Sequence, residues 1–145
     1  MAAIRSRDTE PELMLRRGLH ALGLRFRLHS RKLLGRPDMV LAKYRAVIFV
    51  NGCFWHGHNC HLFRWPKTRE EFWRDKIGAN VARDRATLAA LSEQGWRTAI
   101  VWECALKGRG RHDPAVVIGA VANWLHSGES NLNLTGSNAG PENGG

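Results

Sequence analysis

After Thr9-Glu10-Pro11-Glu12, the apolar residues Leu15, Leu19 and Leu22 recur at helical spacing. The tetrapeptide is a start signal, with Thr9 as N-cap, proline in the first turn and Glu12 completing a capping box. Gly23 marks the stop, and Arg25-Phe26-Arg27-Leu28-His29 then alternates polar and apolar positions like a half-buried strand. A turn at Gly35-Arg36-Pro37 leads into two apolar runs, Met39 to Ala42 and Ala46 to Val50, split by Lys43-Tyr44-Arg45. They predict an antiparallel hairpin whose second strand lies inside the sheet. From Cys53 to Pro66 neither period holds, so this is a loop held by something other than secondary structure. Thr68 and Glu71 make a second capping box, opening a helix to about Gln94 with a break near Gly78 and with Leu88 and Leu91 facing inward. Gly95 ends it. Trp96 to Trp102 reads as a buried strand, and Asp113-Pro114 caps a last helix through Leu125.

The order is helix, three strands, helix, strand, helix, an α/β layer fold in which the long helical crossover makes the last strand parallel to a neighbour. One domain over residues 1–126 is expected. The stretch 127–145, rich in Ser, Asn and Gly, is read as a disordered tail.

Length and charge narrow the picture. A chain of 145 residues buries a core without needing disulfides. Its 22 Lys and Arg against 13 Asp and Glu leave a net charge of +9, which points to a polyanion, with nucleic acid first and a merely solubilising surface as the alternative. Three cysteines without a secretory leader indicate a reducing compartment and thiols or a metal, not a disulfide scaffold. No apolar run approaches the roughly 20 residues of a membrane span, so a cytoplasmic protein is expected.

The loop carries the most chemistry. Cys53, His58 and Cys60 lie close in sequence, and Cys104, just past the Trp96 to Trp102 strand, is placed to join them as a Cys3His set of the kind zinc favours in closed structural sites. His56 and His61 compete with His58 for the histidine place, and inert buried thiols are the bland alternative. Asp38, delivered by a turn to the rim of the sheet, suits an oxygen-rich Mg²⁺ site, although Pro-Asp alone also reads as an ordinary turn. Glu12 and His56 are able to hydrogen-bond a water at such a metal, and His56 is the natural general base; for Glu12 the capping box is a sufficient explanation by itself. Phe54, Trp55, Trp65 and Trp73 crowd a cationic stretch and read as wedges between bases, with core packing as the alternative. Trp96, Trp102 and Trp124 are assigned to the core. Lys107, Arg109 and Arg111, spaced by glycines, and Arg83 with Arg85 are placed to track phosphates, or else form a solvated face.

Taken together, Ala3-Ile4-Arg5-Ser6-Arg7-Asp8-Thr9, Gly35-Arg36-Pro37-Asp38, Gly52-Cys53-Phe54-Trp55-His56, Phe72-Trp73 and Val101-Trp102-Glu103-Cys104-Ala105-Leu106 resemble the very-short-patch-repair endonucleases, the Vsr family. The resemblance runs from residue 2 to residue 125. It implies a restriction-endonuclease-like core, a mixed central sheet flanked by helices with a structural zinc site. It also implies a Mg²⁺-dependent nick 5′ of the thymine in a T:G mismatch, which starts repair of deaminated 5-methylcytosine. Carried over by motif, Asp38 and the backbone carbonyl of Val50 hold Mg²⁺, and Glu12 and His56 hold or activate water at the metal. Cys53, His58, Cys60 and Cys104 bind zinc, while Phe54, Trp55 and Trp73 insert beside the mismatch. Asp84 matches a polar position near the active site. The implied partner is double-stranded DNA with a T:G mismatch, met by a monomer associated with the bacterial nucleoid, with mismatch-repair proteins as candidate partners.

Two departures stand out. Familiar members have Thr-His where this chain has Val50-Asn51, and Asn51 can hydrogen-bond a phosphate but cannot act as an acid or base near neutrality. Retained chemistry with altered rate or specificity is expected. Family members also carry a basic arm ahead of the Met1-Ala2-Ala3-Ile4 stretch, and a chain working without it is expected to bind DNA less tightly and with a flatter salt dependence. Two rival readings are a nuclease of the same fold with another mismatch or site, and a zinc-stabilised DNA-binding module that has lost cleavage.

Overall fold

The computed structural model describes residues 9–137. The motif segment 3–8 and residues 138–145 lie outside that range. Helix α1 (Glu10–Ala21) starts at Thr9, whose side chain accepts a hydrogen bond from the Glu12 N–H at 3.4 Å. The Glu12 side chain does not return to the cap; it turns into the protein, as described below. Leu15 and Leu19 are fully buried, whereas Leu22 is 58% exposed, because the helix ends one residue earlier and Gly23, at φ 89°, turns the chain away.

Strand β1 (Arg27–Leu28) is shorter than its alternation predicts. It pairs antiparallel with β2 (Met39–Leu41), and β2 pairs antiparallel with β3 (Ala46–Asn51), as the two apolar runs imply. Helix α2 (Glu70–Glu93) crosses over to β4 (Arg97–Trp102), which lies parallel to β3 with Val50 opposite Val101. Two expectations for α2 fail. Its N-cap is Arg69 in a left-handed conformation with no side-chain cap, so Thr68 caps nothing, and the helix runs unbroken through Gly78, which is exposed and free of tertiary crowding. Helix α3 (Pro114–His126) is capped by Asp113, which accepts from the Ala115 N–H at 2.9 Å.

The stretch read as a disordered tail needs correction. Asn131–Leu134 form a strand, β5, parallel to β4 at the edge of a five-stranded sheet ordered β1-β2-β3-β4-β5. Polar pairs help to hold it, with Thr98 Oγ1 3.0 Å from Asn131 Oδ1 and the Trp102 indole N–H donating to Asn133 Oδ1 at 2.9 Å. Leu132 and Leu134 pack on the core.

The product is a mixed α/β fold with helices on both faces of the sheet. Leu15 and Leu19 of α1, Ile48, Ala99 and Val101 of the sheet, and Val117, Val121 and Trp124 of α3 share the main core. On the other face Leu91 of α2 packs with Val40 and Val47. Burying these apolar side chains stabilises each by about 1.5–3 kcal/mol relative to exposure. Among the described residues no helix is long and apolar enough to cross a membrane.

Candidate active site and metal centre

Asp38 stands at the entry to β2, where the antiparallel register brings it beside β3. Its Oδ2 accepts the Val50 N–H at 2.6 Å. Val50 therefore acts on this carboxylate through its amide as well as offering a carbonyl. Burial, above all, pushes the Asp38 carboxyl up from 3.8 to about 7; the Glu12 charge adds to this, while the Val50 N–H, His29 and Arg16 oppose it. A carboxylate so short of solvent is a group that a cation stabilises.

Glu12 is only 1% exposed, and its Oε2 lies 3.2 Å from Arg16 Nη1 and 3.1 Å from His29 Nε2. His29 Nδ1 is 3.8 Å from Asp38 Oδ1. The ligand atoms of Glu12, His29 and Asp38 all fall within 4.8 Å of one another, a span that one cation can bridge. This is more than a capping box requires of Glu12.

His56 approaches from the other side. Its Nδ1 is 2.5 Å from Asp84 Oδ2 on α2, and both side chains are about one-third exposed or less. With Nδ1–H donated to the carboxylate, Nε2 keeps the lone pair that a general base needs. The loop is further tied to α2 by Asn80, whose amide donates to the Trp55 carbonyl at 3.0 Å. A cleft of about 210 Å³ holds Asp38, Asn51, His56, Arg83 and Asp84. A larger one of about 540 Å³ runs past Thr9, Phe54, Trp55 and Lys107, and the two meet at Val50, Asn51 and His56. Asn51 is 8% exposed and lines both.

Next to this site, Cys53, His58, Cys60 and Cys104 bring their ligand atoms within 4.8 Å of one another. All three cysteines are free thiols. Burial, joined by the neighbouring sulfurs, pushes the Cys53 and Cys104 thiols upward, and burial lowers His58. Three sulfurs and one imidazole nitrogen in that compass fit a tetrahedral zinc ion. The Cys53 N–H donates to Glu103 Oε1 at 3.2 Å, the Gly136 N–H to Cys104 Sγ at 3.2 Å, and the His58 ring stacks on Trp102 with centroids 4.1 Å apart. Trp102 thus packs on the Cys/His cluster and not in the main core. Of the competing histidines, His56 is taken by Asp84, and His61 lies against Gly108 and Gly110.

Phe54, Trp55 and Trp73 form one aromatic cluster with centroids 5.1–5.8 Å apart, and Phe63 extends it toward Trp65, over which the Arg74 guanidinium lies. Lys107, Arg109 and Arg111 are exposed just beyond the Cys/His cluster; Lys107 Nζ is 3.4 Å from Glu103, and Arg111 donates to the Gly108 carbonyl at 2.9 Å. Arg83 and Arg85 are exposed on α2. Sequence reasoning missed His29 and Glu103. Neither belongs to a spacing that links it to its partners, and only the fold brings residue 29 to 38, or 103 to 53.

The family model described as DNA mismatch endonuclease Vsr matches residues 1–62. DNA mismatch endonuclease Vsr of Escherichia coli (strain K12) is 50% identical over 125 residues, covering 86% of this chain and 80% of that protein. The Type II nicking enzyme V.XorIIP of Xanthomonas oryzae pv. oryzae is 50% identical over 110 residues, 76% of this chain and 81% of that protein. The Type II nicking enzyme V.NmeAIP of Neisseria meningitidis is 40% identical over 109 residues, 75% and 78% respectively.

Proposed function

Because the chain belongs to the family of DNA mismatch endonuclease Vsr, we propose that it is a DNA endonuclease with a restriction-endonuclease-like core. In this reading it nicks one strand 5′ of the thymine in a T:G mismatch and so starts very-short-patch repair of deaminated 5-methylcytosine. It works as a monomer on double-stranded DNA in the bacterial cytoplasm. The observation that carries the reading is the convergence of Asp38, Asn51 and the His56–Asp84 pair on one cleft, with Glu12 and His29 grouped around Asp38 and a Cys/His cluster beside it.

Asp38, with the Val50 carbonyl, would hold a Mg²⁺ ion, which when bound neutralises phosphate charge and makes a nearby water more acidic. His56 takes a proton from the attacking water at Nε2, and Asp84 fixes the ring and steadies the cation that forms. Glu12, beside His29 and Arg16, orients the groups around Asp38. Asn51 donates its amide to a phosphate oxygen and leaves proton transfer to His56. Cys53, His58, Cys60 and Cys104 would hold a zinc ion, whose cross-link would keep the loop rigid, so that Phe54 and Trp55 sit on a fixed base with Trp73. These three enter beside the mismatch, where opening a base step costs a few kcal/mol and a mispair costs less. Lys107, Arg109 and Arg111 contact phosphates.

The deciding experiment is nicking of a labelled duplex with one T:G mismatch beside its T:A control, with and without Mg²⁺. A Mg²⁺-dependent nick beside the mismatched T alone supports the proposal, and cutting of neither duplex sinks it. Relatives named Type II nicking enzymes favour a second reading, the same chemistry at another mismatch or site. A panel of mismatches in several sequence contexts separates the two.

A further inference from the structure

His29 belongs to none of the motifs that define the site, yet the fold delivers it there. It follows β1 with φ 48°, and its backbone N–H donates to the Asp38 carbonyl at 3.0 Å, so the strand register seats the two residues side by side. Its ring, 19% exposed, lies between two carboxylates. Nε2 is 3.1 Å from Glu12 Oε2, within ion-pair distance, while Nδ1 is 3.8 Å from Asp38 Oδ1. With the proton on Nε2 and shared with buried Glu12, the lone pair of Nδ1 is on the side of Asp38. One imidazole nitrogen held by a carboxylate and the other turned toward a potential ligand oxygen is how proteins orient a histidine for a metal ion.

Resting on the nuclease reading above, we propose that His29 is a nitrogen ligand of the catalytic cation, binding through Nδ1 beside Asp38 while Glu12 holds its Nε2–H from outside. The three residues then have distinct duties. Asp38 supplies charge, His29 supplies a softer donor, and Glu12 fixes the ring. The consequence is selectivity. Mg²⁺ prefers oxygen ligands and keeps its waters, whereas first-row transition ions accept imidazole more readily, so this site favours Mn²⁺ over Mg²⁺. The sequence supplies an imidazole just after β1 while β3 ends on Asn51, so the nitrogen donor comes from a different strand.

The test uses zinc-loaded full-length protein titrated with Mn²⁺ and read by electron paramagnetic resonance, without DNA. The expected result is ¹⁴N coupling to bound Mn²⁺ in the wild type and in His56→Gln, its loss in His29→Gln, and about tenfold or greater weakening of Mn²⁺ binding in His29→Gln. Absence of nitrogen coupling in the wild type overturns the proposal whatever the variants do. So does coupling that survives in His29→Gln but vanishes in His56→Gln. Nitrogen coupling through His29 in a protein that nicks no duplex supports the ligand assignment and overturns the nuclease reading instead. Specific nicking without nitrogen coupling does the reverse.

Discussion

Consider Asp38→Asn in protein to which no Mg²⁺ has been added. Burial is the main reason the folded protein keeps the Asp38 proton up to about pH 7, whereas the unfolded chain gives it up near 3.8. Between those values the folded state binds more protons than the unfolded state, so this carboxylate makes stability fall as pH rises through the window. Below about pH 4 both states are protonated and the effect vanishes; above about pH 7 the whole cost is present. At about 1.4 kcal/mol per pH unit the interval corresponds to about 4 kcal/mol. That is an upper bound, since the side chain retains 13% exposure. Asparagine has nearly the same shape, accepts the Val50 N–H through its amide oxygen, and cannot ionise. The variant should therefore match the wild type near pH 4 and exceed it by roughly 2–4 kcal/mol near pH 8, while losing all nicking. Urea denaturation of both proteins at several pH values reads the difference, and titrations common to both cancel. Added Mg²⁺ should close the gap by stabilising only the wild type, as a ligand of the folded state does. A difference that stays constant with pH, or a wild type more stable at pH 8, would refute the claim that the site stores the cost of a buried anion.

Three further outcomes are expected. Cys60→Ser removes one of four donors from the Cys/His cluster; zinc content by mass spectrometry should fall below one per chain, with loss of the thermal transition and of nicking, because a structural zinc ion supplies on the order of 10 kcal/mol of folding energy. Asp84→Asn takes the carboxylate from His56 and should slow single-turnover nicking on the order of 100-fold or more, with melting temperature and duplex affinity unchanged; a rate within twofold of wild type would rule out His56 as base. Gly136→Ala places a Cβ 2.3 Å from the Cys104 carbonyl oxygen, a backbone atom that cannot swing aside, and should cost about 1–3 kcal/mol in urea denaturation together with faster zinc release to a chelator.

The elements with a strong period were legible in the chain. The hairpin of β2 and β3, the crossover helix and the parallel β4 follow from apolar runs and turn residues. What escaped was decided by tertiary contact. β5 alternates Asn and Leu, but its asparagines pair with Thr98 and Trp102, a polar ladder that composition alone reads as tail. Helix α2 continues through exposed Gly78 because Ile77, Thr87 and Leu91 along it are buried, which outweighs the cost of about 1 kcal/mol for an internal glycine. In the site, the Cys3His grouping was visible because ligand type announces itself. The His29 contact was not, since it depends on the strand register that sets residue 29 against 38.

The position of β5 has a consequence for the order in which the molecule comes into being. In a chain made from its N-terminus β4 emerges before β5, and until Asn131–Leu134 appears, β4 presents the unpaired N–H and C=O groups of Thr98 to Val101 along an open edge. Those residues are mostly apolar, the kind of edge onto which another nascent copy can zip. The closing strand is short and rich in asparagine, and just beyond it Gly136 anchors to Cys104 Sγ. Pairing of β5 with β4 and the contact of Gly136 with the Cys/His cluster are thus made together. A chain stopped after His126 would keep every residue of the candidate active site and still be the form most prone to clump.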